Sequence, residues 1–164
     1  MLDIIKVPNP ILHKKCKKIV NFDSAIRSLV KDMRETMKAN DGIGLAAPQI
    51  GKSIALCIVE IPTESKRYRH IKNFVSSPFT VLINPKIIQV SNKRATELEG
   101  CLSIPGVGVK VERPIGIIVR AQDEYGKTQE IKASALFARA IQHEIDHLNG
   151  ILITDYGQSE PFEN

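Results

Sequence analysis

No run of apolar residues in this 164-residue chain is long enough to cross a bilayer, which excludes a transmembrane helix. The segment from Met1 to Pro10 has one lysine, two prolines and no long apolar stretch, so we expect no secretory signal. The three cysteines, Cys16, Cys57 and Cys101, are too few and odd in number for a disulfide framework. These absences favour a reducing, cytoplasmic compartment.

Composition and charge are typical of an ordinary globular domain. Hydrophobic residues make up 43% of the chain and charged residues 25%, and no repeat, low-complexity tract or linker divides it. We therefore expect residues 1–164 to form a single domain with its own hydrophobic core. The net charge of +5 suits loose association with an anionic surface such as RNA, but it does not identify a sequence-specific nucleic-acid reader.

Apolar periodicity predicts two helices and several strands. The first helix begins after Asp23, a suitable N-cap, and ends at Asn40. The second helix, from Ser134 to Asn149, has apolar residues on nearly every face and should be buried. The predicted strands are 53–61, 81–90, 115–121 and 128–133, the last two joined by a turn at 123–126. The pattern indicates an α+β fold, with antiparallel or mixed β-sheets packed around the buried C-terminal helix and an amphipathic helix near the N-terminus.

The second helix contains an H-E-x-x-H pattern, which runs from His143 to His147. Four residues are slightly more than one helical turn, so both imidazoles should project from one face, about 6 Å apart along the axis. Two imidazoles at this spacing can chelate one transition metal, and Glu144 can reach a water bound to it. The pattern therefore favours metal-assisted hydrolysis. The alternative is a pair of core histidines beside an incidental glutamate.

A catalytic metal site needs a third protein ligand and one open position. Downstream, Ile153 occupies the position where metzincin proteases have a third histidine. Glu160 and Glu163 lie too close to the chain end for the arrangement of thermolysin-like proteases. The third ligand must therefore come from upstream of the helix.

Most upstream candidates have simpler explanations. Cys57 lies in an apolar strand and is expected to pack as a small hydrophobic residue. Cys16 lies among four lysines, which would lower its pKa and repel a cation, so a surface thiol is expected. His13 and His70 lie in basic loops and are expected to be solvated. Cys101 is different: it follows Glu99-Gly100 at the end of a candidate strand segment, and its thiolate with two imidazoles would suit Fe(II), Zn, Ni or Co. Taken alone, Cys101 is equally consistent with a core position.

A further segment, from Gly42 to Gln49, follows the first helix and reads Gly-Ile-Gly-Leu-Ala-Ala-Pro-Gln. Two glycines in so short a span allow the backbone to approach a ligand closely. The alternative is a helix C-cap followed by a tight turn.

Together these three segments resemble the peptide deformylases, whose motifs read G-x-G-x-A-A-x-Q, E-G-C-x-S and Q-H-E-x-D-H. All three motifs occur here without a mismatch and in the family's order. The resemblance extends from Pro8-Asn9-Pro10 to the last helix. It implies a metal-dependent hydrolase that removes the N-formyl group from N-formylmethionyl nascent polypeptides, releasing formate and a free N-terminal methionine.

The resemblance also implies the catalytic residues. By matching position, the metal ligands would be Cys101, His143 and His147. Glu144 would accept a proton from water and deliver it to the departing amine. The Gln49 side-chain amide and the Leu102 backbone N–H would stabilise the oxyanion together with the metal.

Substrate contacts are implied in the same way. The Gly44-Leu45 backbone would pair with an extended peptide like an added strand, and an apolar pocket would take the methionine side chain. The residues expected to contact substrate are Ile43, Gly44, Leu45, Gly100 and Ile141. The residues expected to support the metal ligands are Glu99, Gln142 and Asp146, with ordinary surface hydrogen bonding as the alternative for each.

The expected cofactor is Fe(II), the typical ion of the family, and Zn(II), Ni(II) or Co(II) could substitute. The expected partners are N-formylated nascent peptides and, transiently, the ribosome, in a cytoplasm of the bacterial type. No membrane and no sequence-specific nucleic acid are expected as partners.

The chain departs from the family pattern in two places. Some deformylases have an arginine shortly after E-G-C-x-S, near the substrate backbone, whereas this chain has glycine and valine there, and Arg113 is a candidate to substitute. Many bacterial members end in a basic helix that docks on the ribosome, whereas residues 151–164 contain no lysine or arginine. The basic segment 66–70 is a candidate replacement, with a solvated loop as the alternative.

Two other functions compete with the resemblance. A zinc endopeptidase would share the H-E-x-x-H pattern, but the missing downstream ligand argues against it. A degenerate relative could hold a structural metal or only bind ribosomes. Structural sites usually have four protein ligands, whereas only three are credible here, and Glu144 would have no use in such a site.

Overall fold

The structure, a computed structural model, describes residues 1–63 and 75–162. His70 and the basic segment 66–70 lie outside the described residues. The described helices are α1 (Ser24–Ala39) and α2 (Ala135–Leu148). The described strands are β1 (Gly44–Ala46), β2 (Leu56–Ile61), β3 (Ser77–Val90), β4 (Arg94–Cys101), β5 (Ile104–Pro114), β6 (Gly116–Gln122), β7 (Thr128–Ser134) and β8 (Ser159–Pro161). None of the helices in these ranges has the length and apolar character needed to span a membrane.

Helix α1 begins and ends where its sequence predicts. The Asp23 side chain accepts hydrogen bonds from the backbone N–H groups of Ala25 and Ile26, at 3.0 and 3.1 Å, which satisfies two of the donors left free at a helix start. Asn40 follows the last helical residue as the C-cap. Met33 and Met37 are buried on the inner face, and each contributes roughly 1.5–3 kcal/mol by leaving water.

The strands form two antiparallel sheets. Five strands are hydrogen-bonded in the order β1-β2-β3-β6-β7, and three in the order β4-β5-β8. The predicted strand 53–61 is shorter than expected, because β2 begins only at Leu56. The predicted turn at 123–126 does connect β6 to β7, with Gly126 in the left-handed region at φ 83°. The α+β fold class predicted from the sequence is confirmed.

Strand β2 separates the two helices, because its side chains alternate between the faces of the five-stranded sheet. Leu56 and Ile58 pack in the cluster that contains the inner face of α1. Cys57 and Val59 pack in the cluster that contains α2 residues. All four side chains are fully buried. Helices α1 and α2 therefore lie on opposite faces of the same sheet.

Helix α2 is buried along most of its length, as its nearly continuous apolar pattern predicts. It ends at Gly150, whose φ of 75° lies in the left-handed region. A Cβ on Gly150 would lie 2.5 Å from the carbonyl oxygen of His13, so glycine is required there by both conformation and space. The Cys16 N–H also donates to the Leu148 carbonyl at 2.8 Å, which fixes the N-terminal segment against the end of α2.

The β4–β5 hairpin contains the candidate strand segment that was predicted to end at Cys101, whereas its second strand was not predicted. Its strands pair from Arg94 opposite Pro114 to Cys101 opposite Ile104, with a register shift between Gly100 and Cys101. Only Leu102 and Ser103 connect them. The acidic tail, residues 151–164, forms no α-helix within its described part. It forms a 3₁₀ turn at Ile153–Asp155, adds β8 to β5 and places Leu152 and Ile153 in a core cluster with Cys101. The tail thus covers the back of the hairpin.

Candidate metal centre

Three predicted ligands converge where the tip of the β4–β5 hairpin meets α2. Cys101 is the last residue of β4, and His143 and His147 lie one turn apart on the helix. The Cys101 Sγ lies 3.3 Å from the His147 Nε2, and one ligand atom from each of the three residues lies within 4.8 Å of the others. The two imidazole rings meet edge to face with centroids 5.0 Å apart. Because Cys101 and His147 are buried and His143 is nearly so, little solvent separates the three.

Glu99 fixes the orientation of the first histidine. Its Oε2 lies 3.0 Å from the His143 Nδ1, which leaves the Nε2 of that ring to face Cys101. Arg113 donates two hydrogen bonds to the same carboxylate, at 2.6 and 2.9 Å. Burial raises the pKa of Glu99, but its hydrogen bonds to His143 and Arg113 outweigh burial and lower the pKa to about 2. Glu99 is therefore a fixed negative charge behind the histidine, as expected of a supporting residue.

Arg113 does not face a substrate. It is 4% exposed, and its guanidinium is occupied by Glu99 and by Asp146, whose Oδ2 lies 2.8 Å from Nη1. The Tyr156 hydroxyl donates to the same Asp146 oxygen at 2.9 Å. The suggestion that Arg113 grips the substrate backbone is therefore wrong: its hydrogen bonds hold Glu99 and Asp146 in place.

Arg139 completes this ion-pair network, although no motif in the sequence singles it out. It lies one turn before His143 on α2, and its Nη1 donates to the Glu99 Oε1 at 2.7 Å. Its other hydrogen bonds reach the carbonyls of Val111 and Ala95, at 2.9 and 2.8 Å. An arginine one turn before the H-E-x-x-H pattern, on an otherwise apolar helix, is the signal that could have identified it. It ties α2 to both strands of the hairpin that carries Cys101.

The pKa values of the two histidines are shifted in opposite directions. Burial lowers the pKa of His143, but hydrogen bonds to Cys101 and Glu99 outweigh burial and raise the pKa well above its usual value. Burial, together with repulsion from His143 and Arg113, lowers the pKa of His147 well below its usual value. His147 is therefore a neutral imidazole, the form that binds a metal, whereas a cation at this site must displace the proton of His143.

Glu144 is a buried carboxyl group that follows His143 directly on α2. It is 4% exposed, and within the described part of the chain its Oε2 has no hydrogen-bond partner. Burial is the largest cause of its raised pKa, which reaches about 7 despite the opposing charge of His143. A carboxyl group with a pKa near neutrality and a free oxygen is suited to exchange protons with a water or a substrate.

Gly44 makes room for this carboxylate. A Cβ on Gly44 would lie 2.2 Å from the Glu144 Oε1 and 2.8 Å from its carboxyl carbon. Any side chain larger than hydrogen would therefore displace Glu144. Gly44 is therefore required for steric reasons, which the alternative of a helix C-cap and tight turn does not explain.

The raised pKa of Glu144 predicts a stability cost in the metal-free protein. Between the unfolded pKa near 4.5 and the folded pKa near 7, the folded state binds more protons than the unfolded state. Stability is therefore intact below about pH 4.5 and falls as the pH rises through 7. Glu144→Gln removes this cost and should raise the free energy of unfolding at pH 8 by about 3 kcal/mol. Urea unfolding of the parent protein and the variant, both freed of metal with a chelator, measures this difference at pH 4.5 and pH 8. A stability gain of equal size at both pH values would contradict the prediction.

Gln49 lies beside the sulfur. The residue is 1% exposed and belongs to a 3₁₀ turn, Ala47–Ile50, that follows β1. Its Oε1 accepts a hydrogen bond from the Ala46 N–H at 2.8 Å, which fixes the amide so that its Nε2 faces Ser103 and Cys101. That Nε2 lies 3.2 Å from the Ser103 Oγ and 3.6 Å from the Cys101 Sγ. The structure thus brings Gln49 to the site, next to the turn that contains Leu102.

The other predicted substrate residues are arranged around this centre. Gly44 and Leu45 belong to β1, an edge strand whose partner in the sheet is β2. Ile43 precedes that strand and is half-buried against the α2 cluster, whereas Ile141 is fully buried within the cluster. Gly100 pairs with Gly108 in the hairpin. Their roles toward a substrate stay predictions.

The remaining thiols and His13 lie apart from the ligand group. Cys57 is fully buried, as predicted. Burial raises the pKa of Cys16 above its usual value, and a hydrogen bond to Ser53 only partly offsets this. The expectation of an exposed thiol with a lowered pKa is therefore wrong, because the half-buried Cys16 packs against the core instead of facing its neighbouring lysines. His13 is exposed, in line with the solvated position expected for it.

The donor set fits a divalent transition metal. One thiolate and two imidazoles form a soft, mixed S/N site that suits Fe(II), Zn, Ni or Co. Three protein donors leave a position open, and the free Oε2 of Glu144 needs a hydrogen-bond donor such as water. Glu99 supplies the carboxylate that usually supports a metal-binding histidine. The residues present therefore match a catalytic site better than a closed structural one.

Sequence comparison gives the same picture over almost the whole chain. A family model described as polypeptide deformylase matches residues 1–161. The peptide deformylase of Dictyoglomus turgidum is 42% identical over 160 residues, which cover 98% of this chain and 95% of the relative. Peptide deformylase 1 of Bacillus anthracis is 44% identical over 156 residues, which cover 94% of this chain and 90% of the relative.

Structural comparison agrees. A crystal structure of a peptide deformylase from Synechococcus elongatus, in complex with actinonin, matches with a TM-score of 0.85 and 39% identity. The match covers 96% of this chain and 80% of that chain.

Proposed function

Because the chain belongs to the polypeptide deformylase family, a family of metal-dependent hydrolases, we propose that Cys101, His143 and His147 hold its catalytic metal. The protein removes the N-formyl group from N-formylmethionyl nascent polypeptides and releases formate and a free amino terminus. The observation that carries the proposal is the convergence of these ligand atoms within 4.8 Å, next to the buried carboxyl group of Glu144. We also propose that residues 1–164 form one catalytic domain.

Proton transfer is the task of Glu144. When bound, a divalent ion supplies a Lewis acid that lowers the pKa of water and polarises the formyl carbonyl. Glu144 accepts the proton of the attacking water through its free Oε2 and later donates it to the leaving amine. Its raised pKa, about 7 before a cation is added, makes the carboxyl group a competent acid and base near neutral pH.

Oxyanion stabilisation is assigned to Gln49 and Leu102. The Gln49 Nε2 already lies 3.6 Å from the Cys101 Sγ, so a small shift toward an oxyanion at the centre costs little reorganisation. The Leu102 N–H lies in the two-residue turn directly after the sulfur ligand. Both donors are held by buried neighbours, which is the condition for preorganised electrostatic stabilisation.

The substrate backbone is proposed to pair with the free edge of β1. Gly44 and Leu45 would offer main-chain hydrogen bonds to an extended peptide, with Gly100 on the opposing hairpin. Ile43 and Ile141 would contribute the apolar lining for the methionine side chain. This placement would bring the formyl group close to Glu144, because a Cβ on Gly44 would overlap that carboxylate.

Fe(II) is the proposed ion in cells, with Zn(II), Ni(II) and Co(II) as substitutes. A ferrous ion beside a thiolate is prone to oxidation, so activity should decay in aerated buffer and persist under anaerobic handling. Protein loaded with Ni(II) or Co(II) should keep its activity in air over the same period. Hydrolysis rates of matched iron and nickel samples, followed with metal analysis, measure this. An iron sample fully stable in air would point to another ion.

Formate release tests the proposed function. Metal-loaded protein is incubated with a formyl-Met-Ala peptide, and formate and the free amine are quantified. Equal amounts of both, with the Met-Ala bond intact, support deformylation. Cleavage of internal peptide bonds would instead identify an endopeptidase, and metal binding without any hydrolysis would identify a structural site.

Partners and compartment follow from the substrate. Formylated nascent chains are made on bacterial-type ribosomes, so we place the protein in the cytoplasm and propose a transient ribosome contact. Residues 151–162 do not supply a docking helix for that contact, because they form a 3₁₀ turn and an edge strand with acidic side chains.

A further inference from the structure

A groove of about 260 Å³ lies on the α1 side of the five-stranded sheet. Its lining combines α1, the beginning of β3 and the turn between β6 and β7. The lining residues include Arg27, Lys31, Arg34, Phe79, Glu124 and Tyr125. We call this surface the α1 groove. It belongs to the face opposite α2, so the metal centre does not account for it.

The cations in the α1 groove come from one stripe of the helix. Arg27, Lys31 and Arg34 recur at helical spacing, so their side chains leave α1 on the same side. Arg34 is already paired with Glu60, at 2.7 and 2.8 Å. Within residues 1–63 and 75–162, neither Lys31 nor Arg27 has an ion-pair partner, although Arg27 donates a hydrogen bond to the Phe22 carbonyl at 3.1 Å and lies over the Tyr125 ring. No carboxylate therefore neutralises these two cations.

Flat surfaces lie beside these charges. The Arg34 guanidinium stacks over the Phe79 ring at 4.2 Å, and the Arg27 guanidinium lies 5.5 Å from the Tyr125 ring centroid. Tyr125 is 70% exposed, so much of its ring is open to a ligand. Aromatic rings and guanidinium planes are the surfaces on which unpaired nucleobases stack.

We propose that the α1 groove binds single-stranded RNA without sequence specificity. Arg27 and Lys31 would contact phosphates, and Tyr125 would stack on a base. An acidic peptide would satisfy the two cations but would leave the exposed aromatic and guanidinium planes without a matching flat group, so RNA fits better. The proposal deepens the ribosome contact of the proposed function, because RNA on the α1 side leaves β1 and the metal centre accessible to a nascent chain.

Glu124 provides a test of RNA binding in the α1 groove. It lines the groove with a negative charge that opposes phosphate binding. Glu124→Gln should therefore tighten RNA binding, an effect not expected from a merely structural surface. A fluorescently labelled RNA of about ten nucleotides, within the usual range of site sizes, is titrated with full-length protein and followed by anisotropy.

Two groove variants should weaken binding. Arg27→Gln combined with Lys31→Gln should lower the affinity several-fold and reduce the slope of log K against log salt by about 1.4, since each phosphate contact on a single strand contributes about 0.7. Tyr125→Ala should weaken binding by about five-fold or more, and Tyr125→Phe should not. Thermal unfolding and hydrolysis of a short formyl peptide should be unchanged in all of them.

The matched control removes two charges elsewhere. Lys14→Gln with Lys15→Gln neutralises two exposed lysines near the end of α2, away from the groove. Equal losses in this control and in the groove variant would reduce the effect to net charge and overturn the proposal. So would unchanged binding by Tyr125→Ala, or equal competition by a polyglutamate of matched charge.

Separate readouts keep the two proposals apart. Formate release is measured on the same samples without RNA. If RNA binds and no formate is released, the deformylase mechanism fails and the groove stands. If formate is released and RNA does not bind, the groove proposal fails alone.

Discussion

Glu144→Ala should lower the rate of formate release by at least ~10²-fold while the protein keeps its metal. The carboxylate is the one group at the centre with a free oxygen and a pKa near neutrality among the described residues. Its removal leaves Cys101, His143 and His147 in place, so metal content should match the parent protein. Rates and metal stoichiometry measured on the same preparation test this directly.

Glu144→Gln separates the proton-transfer role from shape. The amide fills the same space against Gly44 but cannot accept a proton, so its rate should fall as far as that of the alanine variant. An active glutamine variant with bound metal would show that Glu144 only fills space. Loss of metal in both variants would instead make Glu144 part of the coordination shell.

Gly44→Ala should lower the rate of formate release by a similar factor, because the added methyl group would displace the Glu144 side chain. The added Cβ would lie 2.2 Å from the Glu144 Oε1, and the residue sits on buried strand β1, so the side chain of Glu144 is the part that must move. A displacement of about 1 Å at a catalytic group can cost on the order of 10²-fold. The rate should fall much more than the metal content, and KM should rise if the substrate pairs with this edge.

Gly116→Ala is the matched control for this substitution. Gly116 lies in β6, and the nearest heavy atoms to a Cβ there are 3.7 Å away, an ordinary contact distance. The control should keep its activity and its unfolding midpoint within a small margin. If Gly44→Ala behaved like the control, Glu144 would have another position available, and the steric coupling inferred here would be wrong.

Local signals in the sequence predicted both helices. Asp23 marks the start of α1 because its carboxylate caps free N–H groups, a contact between near neighbours in the chain. Gly150 marks the end of α2 because only glycine adopts its backbone conformation without strain. The buried character of α2 follows from its composition. Such features depend on a few consecutive residues, so they can be deduced from spacing alone.

Contacts between residues distant in the sequence could not be predicted from residue spacing. Cys101 and His147 are 46 positions apart, and only their match to a known set of motifs predicted that they meet. The bounds of β4 and the whole of β5 were not predicted, because β4 is rich in exposed polar residues and β5 contains two glycines. The role of Arg113 was misjudged for a related reason: both of its acidic partners are distant in sequence, so a basic side chain near the motif looked free.

The two-residue turn of the β4–β5 hairpin constrains how this chain can change in length. Cys101, the proposed sulfur ligand, and Leu102, the proposed oxyanion donor, are adjacent there, and Glu99 lies two positions earlier on β4. One inserted residue between Glu99 and Ser103 would shift the register and turn a side chain to the other face of the sheet. Insertions at residues 91–93, at the open end of the hairpin, would leave those positions unchanged. Natural length variation should therefore accumulate at the open end and be absent from the tip.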